Sequence, residues 1–526
     1  MKTIRKKSDY RLTIILLIAV LFTSCKSSST LYSAARKFPA EELREDYRVL
    51  RTILEKQHPA LYWYTPKDSM DLYFDRYYNV ISDSMTRQEF GFRVLAPLTA
   101  KIRCGHTSFS YPSRYNQSQR NVPSPSFPLY IRTFPAQTKR PGDTDTMVVL
   151  SNLNKSDSIL KKGTIITSIN GYTPRQMVDS FFQFMTTDGY ATGNNYVRLS
   201  MAFPSFHRII FGLSPSYEVG YIDSTGYQRS ITVPLYTPPD SAARRDTEKP
   251  ADVKRPSKKE RRKRIRNFEV DTANHLGVMA INSFDNGGRL RSFYRKSFRE
   301  LRKENISNLV IDLRVNGGGR VDNYTALARY IRQEPFKVAD SVISVVNWLG
   351  NEKKYYTHGF VNSLVLYFGS RKKQEREYHF RYWERKTFKP RTKNHFSGQV
   401  YVLIAGPTFS ASSLFASTVR EQNNVTLVGE ETGGGWYGNS GMLIPAVLLP
   451  HSRMKIRMPL HRIVQYRHGP KNGRGVMPEI TVPATVENLR NNIDGKMQKV
   501  IELVRENAAA KGQPHPLPAG DPVSSY

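Results

Sequence analysis

Hydrophobic and polar positions alternate along this chain with three different rhythms. From Ala40 to Gln57 the apolar residues fall at helical spacing, Leu43, Tyr47, Leu50 and Leu54 on one stripe with acids in the first turn, and Pro59 marks the stop. Helical patterns follow over Leu72 to Ile81 and Arg87 to Ala96, so residues 38–120 read as an N-terminal helical domain with a short strand from Thr107 to Tyr111. Residues 146–237 change to a β-rich rhythm, clearest where Leu160-Lys161-Lys162-Gly163 turns into an alternating strand that ends at Asn170-Gly171. From Leu276 strands and helices alternate. Strands are expected at Leu276 to Ile281, Leu309 to Val315, Val400 to Ile404, Val425 to Val428 and Met454 to Leu460. Helices are expected at Gly288 to Lys303 and Val321 to Ile331, and this is the grammar of an α/β fold. Residues 335–397 interrupt it with an aromatic and basic insertion suited to covering a cleft. A helix over 484–510, carrying Leu489, Ile493, Met497, Val500 and Val504, precedes a loose Pro-rich tail at 511–526.

Composition alters this picture in two places. Residues 238–268 are crowded with Lys and Arg, punctuated by Pro and nearly devoid of apolar side chains, which predicts a solvated, disordered basic linker. At the start, a basic segment from Lys2 to Arg11 leads into the short apolar run Leu12 to Phe22 and then Thr23-Ser24-Cys25. This looks like a bacterial lipoprotein signal, residues 1–24, with Cys25 as the lipidated residue; an ordinary secretory signal is the other reading. Export directs the formal charge of +34 toward an anionic envelope surface and away from nucleic acid. With 526 residues and 39% hydrophobic content the chain can fill a large core. Cys104 is the one cysteine besides Cys25, so no disulfide within the mature chain is expected.

The candidate chemistry is concentrated at strand ends. Gly406-Pro407 breaks the Val400 to Ile404 strand and Ser410 opens a helix, where free N–H groups, that of Ala411 first, face any developing negative charge. Read alone, Ser410 is a helix cap, the role serine prefers at such a position. Asp312-Leu313-Arg314-Val315-Asn316-Gly317-Gly318-Gly319 makes a glycine corner after another strand, an anion-binding turn without the Gly-Lys-Ser/Thr of a phosphate loop. Gly433, Gly435 and Gly438 spell a dinucleotide fingerprint, but the residues after them read as strand, not helix, which excludes it. His106, between Gly105 and Thr107, stands exposed in a tight turn; a lone histidine there is more often structural than catalytic.

Taken in order, these motifs resemble the C-terminal processing (tail-specific) serine peptidases. They are Asp312-Leu313-Arg314 with its glycines, Thr408-Phe409-Ser410-Ala411-Ser412, Val428-Gly429-Glu430, and Gly475-Val476 with Pro478. The Ile169-Asn170-Gly171 turn resembles PDZ domains, which bind extended peptides at a sheet edge and sit upstream in that family. The resemblance implies a crotonase-like α/β catalytic domain over 269–483, Ser410 as nucleophile, and an oxyanion hole from Gly318, Gly319 and Ala411 N–H groups. The lysine of the family's Ser-Lys dyads has no counterpart in the loop Glu431 to Gly438. Cys104-Gly105-His106-Thr107 matches instead the histidine position of the tricorn-like branch, making His106 the base. The acidic position of that branch, three residues before Gly475, holds Asn472, which leaves Asn472 or Thr107 to orient the ring. No cofactor and no metal are implied. The expectation is an envelope-located, membrane-anchored lipoprotein that cleaves peptides or unfolded proteins. The second reading is an inactive relative that binds a peptide or apolar ligand.

Overall fold

The computed structural model describes residues 32–119, 124–136, 145–238, 256–272 and 274–510. The expected signal segment, Cys25, most of the basic linker and the 511–526 tail lie outside the described residues.

A six-stranded sheet forms the centre of an α/β fold, in the order Ile480–Thr481, Val425–Gly429, Gln399–Ile404, Asn308–Asp312, Leu276–Ile281, Arg266–Asp271. All neighbours are parallel except the last pair. The strands are short, β-branched and buried on both faces, as parallel sheets require. Helices Leu290–Lys303, Val321–Ile331 and Ala411–Val419 share one core with this sheet, from Met279 and Phe298 through Tyr324 to Phe415. The helix Gly495–Ala510 covers the other face through Val500 and Val504. Three consecutive positions in the sheet are thus followed by the glycine corner, the Ser410 turn and the Gly433–Gly435 loop. Loops that follow adjacent parallel strands emerge side by side at the carboxyl ends of those strands, and the site is built there.

The expected element types largely appear, and the domain outlines change. Residues 258–265 of the anticipated disordered linker are helical. Ser257 caps that helix by accepting from Glu260 N–H, while the Glu260 carboxylate returns to Ser257 N–H at 2.6 Å. The next residues, Arg266–Asp271, add an edge strand to the central sheet. A charge run reads as solvated, yet the Ser-x-x-Glu capping box and the partly buried Ile265 order it. The N-terminal helices do not fold around a core of their own: Leu50, Leu54, Phe90 and Leu98 pack with Leu349, Leu366, Ile456 and Leu460. The β-rich unit begins before residue 146, because Leu129–Phe134 is the first strand of its five-stranded antiparallel sheet. Residues 335–397 are more than a cover, since Ala339–Ser344 pairs with Arg462–Gln465 in a second five-stranded sheet. The last helix is two, Val486–Asn491 and Gly495–Ala510, broken where Asn492 turns left-handed.

Candidate active site

Ser410 sits between the central strand Gln399–Ile404 and the helix Ala411–Val419, with φ +54° and ψ −122°. A side chain in that region is strained, and such strain is characteristic of functional turns. Three contacts hold the turn. Thr408 Oγ1 donates to Leu313 O and accepts from Ala405 N–H, and Phe409 N–H donates to Asn316 O. The Ser410 hydroxyl makes no capping bond to its own helix. It meets His106 instead, with Oγ 3.0 Å from Nε2. The plain cap reading of Ser410 therefore does not describe this turn.

His106 reaches Ser410 from far away in the sequence because the strand that follows it, Ser108–Ser110, pairs with Lys455–Arg457. Gly105 is required there, since a Cβ would lie 2.6 Å from the Phe409 ring, against which the imidazole also packs at 4.8 Å between centroids. Burial, followed by the charge of Arg457, pushes the His106 pKa down to about 3. The ring is therefore neutral over the physiological range, and Nε2 can accept the serine proton when the ring's own proton sits on Nδ1.

The Nδ1 side faces a residue that the sequence reading missed. Asp188 Oδ1 lies 3.9 Å from Nδ1, and both side chains are almost fully buried. His106 Nδ1 and Asp188 Oδ2 have no hydrogen-bond partner among the described residues. Burial pushes the Asp188 carboxyl up to about 7, opposed by the N–H groups of Gly105 and Gly435. The two residues after Asp188 clamp its loop: Gly189 N–H donates to Arg103 O, and Tyr190 N–H donates to Gly473 O at 2.7 Å. Asp188-Gly189 looks in sequence like any Asp-Gly turn, and only this tertiary clamp distinguishes it.

The remaining expected residues divide. Asn472 is exposed, and its Oδ1 accepts from Arg474 N–H rather than meeting the imidazole. Its neighbour Gly473 instead braces the Asp188 loop. Thr107 Oγ1 is bonded to His58 Nε2 at 2.8 Å rather than to the ring it was expected to orient. Gly318, at φ +106°, comes so close to Ser410 that a Cβ would lie 2.7 Å from the serine Cβ and 3.1 Å from Ala411 N. Its own N–H, however, donates to Asn316 Oδ1, a buried side chain whose amide also holds Ile281 O. The N–H groups of Ala411 and Gly319 have no acceptor among the described residues. Asn439 is a second unanticipated neighbour. It is buried, neither amide atom has a partner among the described residues, and a Cβ on Gly441 would lie 2.9 Å from its Oδ1 and 3.9 Å from Ser410 Oγ.

A hydroxyl on a strained strand-to-helix turn, bonded to a neutral imidazole beside free backbone N–H groups, is the arrangement of a serine hydrolase. Residues 275–482 match the model of peptidase family S41. That stretch, which carries Ser410, is similar to the S41 C-terminal processing peptidases, and the match marks the chain as a serine-type peptidase. Mature CPAF superposes with a TM-score of 0.60 at 13% identity, over 91% of this chain and 99% of its own. CPAF complexed with lactacystin gives 0.59 at 12%, over 89% and 98%. The photosystem II D1 C-terminal processing protease gives 0.39 at 14%, over 88% and 97%. At these identities the CPAF likeness is one of fold. No curated protein matches this sequence.

Proposed function

We propose that the chain is an exported, lipid-anchored serine peptidase in which Ser410 is the nucleophile and His106 the general base. The observation that carries this reading is the 3.0 Å contact between His106 Nε2 and Ser410 Oγ, made by two residues that no local motif joins. In the first step Ser410 Oγ attacks the scissile carbonyl carbon and its proton passes to Nε2. The carbonyl oxygen becomes an oxyanion facing Ala411 N–H, with Gly319 N–H as second donor because Gly318 N–H is engaged by Asn316. Collapse breaks the C–N bond, and the imidazolium returns the proton to the leaving amine. Water then repeats the sequence on the acyl-enzyme and releases the carboxylate product.

Asp188 is assigned as the positioning acid. Its charge opposes the imidazolium that forms on attack, and its place beside Nδ1 favours the tautomer with Nε2 free. The five-stranded antiparallel unit serves as a PDZ-like module, its edge strand Gln228–Pro234 largely exposed and open to addition of a substrate strand. The central domain is read as crotonase-like on the resemblance of its motifs. Substrates are peptides or unfolded proteins at the cell envelope, with attachment through Cys25.

Fluorophosphonate labelling tests the assignment. The probe should modify Ser410 in wild type and nothing in Ser410→Ala, and the same substitution should abolish cleavage of unfolded protein. An unlabelled Ser410 in a chain that still binds peptides would replace the peptidase mechanism with a binding function.

A further inference from the structure

The helix Gly359–Gly369 has its polarity inverted. Its protein-facing side carries Gly359, Asn362, Ser363 and Leu366, all buried. Its outer side carries Phe360, Val361, Val365, Tyr367 and Phe368, which are 60, 55, 40, 53 and 68% exposed. At about 100° per residue these five and Leu364 fill one contiguous arc of roughly 160°. Trp348 extends the arc, edge-on to Phe360 at 6.2 Å and to Tyr367 at 6.4 Å. Its buried side is tied to the protein where Leu349 N–H donates to Ser363 Oγ, and Leu366 packs in the core with Leu349. A single exposed Leu needs no account, but a contiguous aromatic face does.

The rim indicates what covers the face. Lys353 and Lys354 stand exposed before the helix, and the Lys353 ammonium lies 5.6 Å from the Trp348 ring. Arg371, Lys372 and Lys373 stand exposed directly after it. Of the nearby acids, Glu352 is paired with Lys56, and Glu377 is shared between His379 and Lys373. Aromatic and branched apolar side chains ringed by Lys and Arg are the composition of helices that lie in the interface of an anionic bilayer. A second copy docking by two-fold symmetry would set these cationic rims against each other.

We propose that the Gly359–Gly369 helix is a docking surface for an anionic lipid bilayer. Its aromatic face enters the boundary between headgroups and acyl chains, and Lys353, Lys354, Arg371 and Lys372 meet the headgroup phosphates. This goes beyond the peptidase reading and does not depend on it.

Amide hydrogen exchange on the full chain tests it, read at residues 359–373 so that attachment through Cys25 cannot mimic the result. Vesicles of phosphatidylcholine containing phosphatidylglycerol should slow exchange there by about tenfold or more. Vesicles of phosphatidylcholine alone should have a much smaller effect. Replacing Phe360 and Phe368 by Ser should abolish the protection while leaving hydrolysis of a soluble peptide unchanged. Exchange that ignores both kinds of vesicle overturns the proposal. So does protection that grows with protein concentration without lipid, which would assign the face to a second copy. Loss of peptide hydrolysis in wild type would sink the peptidase mechanism and leave this result standing.

Discussion

Replacing Asp188 by Asn separates a catalytic charge from a structural one. When His106 takes the serine proton it becomes a cation 3.9 Å from the Asp188 carboxylate. At an effective dielectric of about 20, that separation corresponds to about 4 kcal/mol, or roughly three orders of magnitude in rate. The amide would also offer Nδ1 a donor and favour the tautomer whose Nε2 already carries a proton. Asp188→Asn should therefore lower kcat/KM by about a thousandfold. The pH profile gives a sharper readout. Burial pushes the His106 imidazole toward its neutral form and the Asp188 carboxyl up, and two groups 3.9 Å apart titrate as a pair. Wild-type activity should rise with pH as the pair loses its proton, and removing the carboxyl should shift that rise. Stability should move the other way. A folded-state pKa above the unfolded one means that the native state binds the extra proton, so stability present below about pH 4 is lost as pH rises to about 7. Above that the ionised carboxyl costs on the order of 4 kcal/mol, which the neutral amide avoids. The variant should be slower and, at alkaline pH, more resistant to denaturant. Turnover within about threefold of wild type with the rise unshifted would refute the assignment.

His106→Ala should lower kcat by roughly three orders of magnitude or more in a peptide assay, with the folded spectrum unchanged. Asn472→Ala and Asn472→Asp should each leave kcat/KM within about twofold, because the exposed side chain serves only Arg474 N–H. Gly318→Ala forces a Cβ to 2.7 Å from the Ser410 Cβ at φ +106°, so both labelling of Ser410 and denaturant stability should fall, the latter by about 1–3 kcal/mol. Cys25→Ala should shift the protein from the membrane fraction to the soluble one or stall its processing; unchanged partition and mature mass would contradict lipidation.

The parts of the molecule legible in the sequence are those in which one short stretch carries both the element and its reason. The apolar runs at Leu276–Ile281 and Gln399–Ile404, the break at Gly406-Pro407 and the glycine corner all signal locally, and each has a local structural consequence. The domain outlines were harder to read because they depend on shared cores. Nothing within residues 38–120 shows that Leu50 and Leu98 pack against Leu349 and Ile456. The helix Lys258–Ile265 was masked by its own charges, although its capping box stood in plain view as Ser257-Lys258-Lys259-Glu260.

The orienting acid shows most clearly how far local reading reaches. Asn472 occupies the expected position in sequence, and the requirement it leaves unmet is one of charge and place rather than of residue number. The Asp188 loop lies across the backbone of that same turn, with Tyr190 N–H on Gly473 O and no room for a Cβ between Gly189 and Gly473. The turn that carries a neutral side chain thus presses a loop bearing a carboxylate against Gly105, one residue from the imidazole. Gly105 N–H fixes Asp188 Oδ1 at 2.7 Å, so the backbone that aims the histidine also aims its acid. Any change that loosens the Gly473 contact should act on catalysis through Asp188, although neither glycine touches a reacting atom.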